Sequence, residues 1–212
     1  MNNEHLGFSS VQQKREEAPA DKRSVFQESL LRFGLISLGF VVLIVVSSVF
    51  FRIAIYIPTP WITAVLYLYM APIFLYSISA MARPWMVVAI CFPSLVLGEI
   101  LWTSVYGSAG ELLLNVIIAL NAWGIGCLLI SFFRKRNIGL AMFTGGAWSF
   151  FGLIVPTIIY YNVILNWNVF YMIAYSLFSM ALNLALIPVA YSLNYVIRRQ
   201  FRLQDLEELI FF

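Results

Sequence analysis

The sequence predicts an all-α polytopic membrane protein, a six-transmembrane-helix bundle with both termini cytoplasmic. Three observations lead there. The composition is 62% hydrophobic and only 11% charged, with mean hydropathy +0.88, whereas soluble domains carry about 25% charged residues. The apolar residues gather into six runs near the roughly 20 residues that a helix needs to cross hydrocarbon. With those runs drawn, every Lys and Arg except Arg52 lies on one side, which the retention of short basic loops makes the cytoplasmic side. An odd number of spans would put one terminal basic cluster outside.

Residues 1–29 read as a polar cytoplasmic tail, with Lys14, Arg15, Lys22 and Arg23 among Glu16, Glu17 and Asp21. A signal peptide would need an apolar stretch directly after its basic start; this composition instead suits a disordered segment, with a short helix near Ser24 to Glu28. Residues 30–202 form the bundle. Span one, about Phe33 to Phe51, is an uninterrupted Leu, Ile and Val run without a polar face, bracketed by Arg32 and Arg52. The connection Tyr56 to Trp61 holds Pro58 and Pro60, which cannot continue a helix, and is expected outside. Span two, about Trp61 to Met81, contains Pro72 and is expected to kink there.

After the short inner turn at Ala82, Arg83 and Pro84, span three runs from about Trp85 to Trp102 with Pro93 inside and Glu99 near its outer end. The loop Tyr106 to Gly110 is small and flexible in composition. Span four, Glu111 to Phe133, stops at Arg134, Lys135 and Arg136, the clearest topology marker in the chain. Span five, about Ile138 to Tyr160, holds Gly145, Gly146, Gly152 and Pro156, and the outer loop after it is aromatic and amide-rich. Span six, about Phe170 to Ile197, ends at Arg198 and Arg199. Residues 203–212 form a short cytoplasmic tail; together with Gln200 to Arg202 they make either an amphipathic helix at the headgroup level or a loosely ordered end. The two three-helix halves show no residue repeat.

Several function classes are excluded by what is missing. The net charge of +3 comes from inner-side residues that set topology and attract anionic lipid, and no basic and aromatic interleaving suggests a nucleic-acid surface. The sole histidine, His5, lies in the tail, and Cys91 and Cys127 fall inside apolar spans as small hydrophobes rather than a disulfide, so no metal site is expected. No cofactor is expected either. The spans lack the serine with histidine, the clustered metal ligands or the inner-side acids that intramembrane catalysis uses, so the chain is not expected to be an enzyme. Without a Walker motif, any ATP-driven step must be powered by a partner.

Function is then sought in the few polar residues. A carboxylate at the centre of a membrane helix costs about 2.5 to 3.5 kcal/mol on insertion scales, and Glu99 and Glu111 are the only acids between Ser29 and Phe201. Asn115 lies one turn after Glu111 on the same helical face. Glu99, Glu111, Asn115, Trp102 and Tyr106 make one wall of an expected outward-facing pocket, and Tyr161, Asn162, Asn166, Trp167 and Asn168 the other. Carboxylates there suit a cationic or amine-bearing ligand and aromatic faces a ring. The bland alternatives are a helix-start role for Glu111 and an interfacial aromatic belt. Arg52 is expected to snorkel to the surface, with pairing to a carboxylate as the alternative. Asn121 and Asn183 read as hydrogen-bonding glue between helices, and Ala141 with Gly145 and Ala181 with Ala185 as close-approach pairs.

From about Phe33 to Arg202 the chain resembles the substrate-binding membrane subunits, or S components, of energy-coupling factor transporters. The resemblance rests on size, six spans, inner termini, the outer loop Ile57-Pro58-Thr59-Pro60, and the stretch Pro93-Ser94-Leu95-Val96-Leu97-Gly98-Glu99. It implies capture of a vitamin or similar micronutrient near the outer surface, with Glu99, Glu111, Asn115, Trp167 and Asn168 near the ligand. It also implies a transmembrane scaffold subunit and ATPase subunits in trans that tilt the loaded bundle. Span one departs from the family's alanine-x-x-x-alanine docking pattern, offering Gly34, Gly39, Ser47 and Ser48 at other spacings. Two further readings remain: a structural or assembly subunit of a larger membrane complex, and a secondary carrier with Glu99 as its proton site.

Overall fold

The computed structural model describes residues 18–58, 63–106, 112–159 and 169–201. In chain order the elements are α1 (Ala18–Phe50), a hairpin of β1 (Arg52–Pro58) and β2 (Thr63–Tyr69), α2 (Ala71–Ser79), α3 (Pro84–Tyr106), α4 (Leu112–Ala119), a π-helical turn (Leu120–Gly124), α5 (Ile125–Phe133), α6 (Ile138–Thr157) and α7 (Val169–Phe201). Among the described residues, five helical stretches are long and apolar enough to cross a membrane: Leu31–Phe50, Pro84–Tyr106, Leu112–Phe133, Ile138–Thr157 and Met172–Gln200. The chain is a largely helical, multi-pass membrane protein. Of the expected tails, residues 1–17 and 203–212 lie outside the described residues, whereas 18–29 belong to α1 instead of forming a disordered segment.

The segment expected as span two departs from the sequence reading. Instead of one helix over Trp61 to Met81, the chain forms β2, then the nine-residue α2. Of the connection expected from Tyr56 to Trp61, Tyr56 to Pro58 pair within β1 and Thr59 to Trp61 lie outside the described residues; β1 runs antiparallel to β2 in a register that sets Arg52 opposite Tyr69 and Pro58 opposite Thr63. Both strands are rich in Ile, Val, Leu, Tyr and Thr, types that favour a pleated backbone, and hydropathy alone does not separate an apolar strand from an apolar helix. Pro72 does not kink a span. It sits at the start of α2, where the missing N–H would have had no intrahelical acceptor.

Although only nine residues long, α2 is central: Leu75, Tyr76 and Ile78 are fully buried. Nine residues rise only about 14 Å, and the carbonyls of the buried turn residues that follow, Ala80, Met81 and Ala82, take donors from the surrounding helices. Arg198 of α7 donates to the Ala80 carbonyl at 2.8 Å, Arg134 at the end of α5 to Met81 at 2.7 Å, and Ser131 to Ala82 at 2.5 Å. Two cations at this end also oppose the negative pole of the helix dipole. Along its length α2 is tied to α7 again, with Asn194 donating to the Ser77 carbonyl and Ser77 to that of Ala190.

The long helices approach where side chains are small, as membrane helices do when dispersion rather than water drives packing. A methyl group added at Gly152 of α6 would stand 2.5 Å from Cα of Ala122 and 2.6 Å from the Asn121 carbonyl oxygen; one at Gly145 would stand 2.7 Å from the Gly126 carbonyl oxygen. The expected Ala141 and Gly145 pair is thus buried in this seam, whereas Ala181 and Ala185 are exposed. Asn137 caps α6, its side chain accepting from the Leu140 N–H at 3.1 Å. Cys91 and Cys127 are free and buried.

Candidate functional site

The site forms where α1 hands over to the hairpin. Arg52 is the second residue beyond α1, and its Nε donates back to the Ser48 carbonyl at 2.6 Å, covering one of the acceptors that a helix end leaves open. Its neighbour α3 comes close because Gly98 faces Ser48, with room for no Cβ: a methyl there would lie 2.7 Å from Cβ of Ser48. That approach brings the next residue, Glu99, within reach. Arg52 Nη2 donates to Glu99 Oε1 at 2.5 Å, and the two side chains are 7% and 3% exposed.

Tyr69, the last residue of β2 and the register partner of Arg52, completes the arrangement. Arg52 Nη2 donates to the Tyr69 hydroxyl, which in turn donates to Glu99 Oε1. The guanidinium lies between two rings, 4.2 Å from the centroid of Tyr69 and 4.4 Å from that of Trp102, an arrangement in which the electron-rich faces stabilise a desolvated cation. On Glu99, Oε1 thus receives two donors, while Oε2 is buried and has no hydrogen-bond partner among the described residues.

The cluster continues into the bundle core through the π-helical turn. Trp123, within that turn, stacks on Tyr69 at 4.6 Å and 17°, and its Nε1 donates to Asn183 Oδ1 of α7 at 3.4 Å. Asn183 donates in turn to Ser149 Oγ of α6 at 3.0 Å, and Ser149 to the Gly146 carbonyl. A π turn loosens the helical carbonyl ladder, and here Trp148 Nε1 of α6 donates to the Asn121 carbonyl at 2.9 Å. Tyr69, Trp123, Asn183 and Ser149 therefore connect the hairpin, the fourth span and the last two helices.

Of the residues expected to bind substrate, Glu99 and Trp102 are in this cluster. Asn115 is one layer away, half-buried, with Nδ2 donating to Thr103 at 3.5 Å. Glu111, Tyr161, Asn162, Trp167 and Asn168 lie outside the described residues, as does Asn166. Two expectations change. Arg52 does not snorkel; it is the buried counter-ion of Glu99. Trp102 is not a free stacking platform either, because its ring is taken by Arg52 and by Tyr106, the latter at 4.5 Å. Asn183 is the inter-helix bond expected of it. Among the described residues no three His, Cys, Asp or Glu side chains gather as metal ligands.

Arg52, Tyr69 and Trp123 were not singled out by the sequence as binding residues. A signal existed for the first: a lone outer cation and a lone intramembrane carboxylate are natural partners, since neither is stable in hydrocarbon alone. For Tyr69 and Trp123 the sequence held no such signal, because one depends on the hairpin and the other on the π turn. Comparisons with protein families, with characterised proteins and with solved structures give no match to this chain.

Proposed function

We propose that this chain is the substrate-capture membrane subunit of an uptake transporter for a vitamin or similar small micronutrient, resident in the cell membrane and powered by partner ATPases through a transmembrane scaffold. The observation that carries the reading is Glu99 Oε2, a buried acceptor with no partner among the described residues. A buried unsatisfied acceptor of this kind costs about 1–3 kcal/mol, more when charged, and an incoming donor recovers that cost. The charged and aromatic groups around it are held by four separate elements, the preorganisation a binding site needs.

The topology fits the same reading. The start of α2 adjoins the Arg52 and Tyr69 end of the bundle, and its far end meets Arg134 and Arg198. Counting α2 with the hairpin as one short return crossing, the five long helices make six crossings, and both tails then fall on the basic, cytoplasmic side.

The experiment is extraction of the purified, detergent-solubilised protein followed by mass spectrometry of what is released. A small molecule near one per chain is expected from the wild type and is expected to be lost with Glu99→Gln. No extractable molecule, or one retained undiminished by Glu99→Gln, overturns capture at Glu99 and favours the assembly-subunit reading.

A further inference from the structure

Resting on that reading of the Glu99 cluster, the charge of the captured group follows from the pairing. Glu99 and Arg52 are a closed ion pair, 2.5 Å apart and almost wholly buried, so the site presents a carboxylate oxygen without presenting a net negative charge. A cation placed against Oε2 is attracted by Glu99 but stands close to the guanidinium, and it must also shed its hydration beside a pair that is already neutral. An anion is held off by the carboxylate. Low-dielectric surroundings strengthen attraction and repulsion alike, so beside this neutral pair the loss of hydration, which penalises any added net charge, decides.

An uncharged donor meets neither penalty. In the ion pair with Arg52 the Glu99 carboxylate is ionised and Oε2 is an acceptor only, so its partner must bring N–H or O–H. The ring faces of Tyr69 and Trp102 are already covered by Arg52, Trp123 and Tyr106, which leaves the hydrogen bond, rather than stacking on these rings, as the recognition element. We propose that the group captured at Glu99 is an uncharged N–H donor, of the kind carried by an amide, a urea or a neutral heterocycle, and that the site rejects both ammonium and carboxylate groups.

Four probes of nearly one shape test this: benzamide, benzamidinium, benzoate and methyl benzoate. Their affinities for the full-length protein in detergent micelles are measured by saturation-transfer NMR, with the signal from empty micelles subtracted. Benzamide is expected to bind about tenfold more tightly than each of the others, the scale of one hydrogen bond to a charged acceptor. Glu99→Gln, which leaves Arg52 uncompensated, is expected to move the preference to benzoate, and Arg52→Gln to move it to benzamidinium. The wild-type order decides the matter even if a variant fails to fold. Benzamidinium, benzoate or methyl benzoate binding tightest overturns the neutral-donor proposal while leaving capture standing; four indistinguishable probes overturn both.

Discussion

Replacing Arg52 and Glu99 singly and together probes whether the cluster at the hairpin base is one electrostatic unit. Arg52→Met leaves the Glu99 carboxylate buried with only the Tyr69 hydroxyl, and strips the Ser48 carbonyl of its 2.6 Å donor. Removing one member of a buried pair costs about 3–5 kcal/mol. Glu99→Met leaves Arg52 with the Ser48 carbonyl and with its two aromatic faces at 4.2 and 4.4 Å, so its cost falls toward the lower end of that range. The double variant removes both charges and leaves only the Tyr69 hydroxyl and the Ser48 carbonyl short of partners, about 1–3 kcal/mol for each buried group. The double change therefore costs less than the two single changes summed, by several kcal/mol. Reversible unfolding in mixed micelles of rising SDS content, followed by far-ultraviolet circular dichroism, supplies the three free energies. Single costs that add to the double within about 0.5 kcal/mol, as independent sites do, would refute the coupling and with it the neutral-pair basis of ligand selection.

Two further outcomes follow from packing and capping. Gly152→Ala, whose new methyl would fall 2.5 Å from backbone Cα of Ala122, is expected to lose about 1–3 kcal/mol by overpacking. Gly39→Ala, where nothing lies within 4 Å, is expected to be neutral or to gain up to about 1 kcal/mol from helix propensity; equal effects in the same SDS titration would contradict the seam. Asn137→Ala removes the cap of α6 and is expected to cost about 0.5–2 kcal/mol, with Asn137→Asp restoring most of it; thermal unfolding in detergent reads both.

How much of this was legible beforehand varies by element. The five long helices were visible because more than 18 consecutive apolar residues admit few structures besides a membrane helix. Residues 52–58 and 63–69 were not: an apolar stretch with tyrosines and β-branched residues reads the same by hydropathy whether it pairs as strands or coils as a helix, and only the partner strand decides. Glu99 stood out because a carboxylate within an apolar span is rare, and Trp102 because it lies one turn further along the same helix. Arg52 was judged by its nearness to the membrane surface, and its true neighbour lies 47 positions away. Trp123 depends on the π turn, whose extra residue re-aims the side chains that follow, and no sequence period announces it.

The arrangement at the end of α2 bears on how the protein is made. The carbonyls of the turn that follows this helix take donors from Arg134 and Arg198, and the second of these bonds spans 118 positions of sequence. Ribosomes add about 5–20 residues per second, so this segment emerges on the order of ten seconds before its last donor exists. Through that interval the donors from Arg198 and Asn194, and the Ala190 carbonyl that Ser77 meets, are missing, so the contacts of α2 with the last helix form only after the final span has arrived.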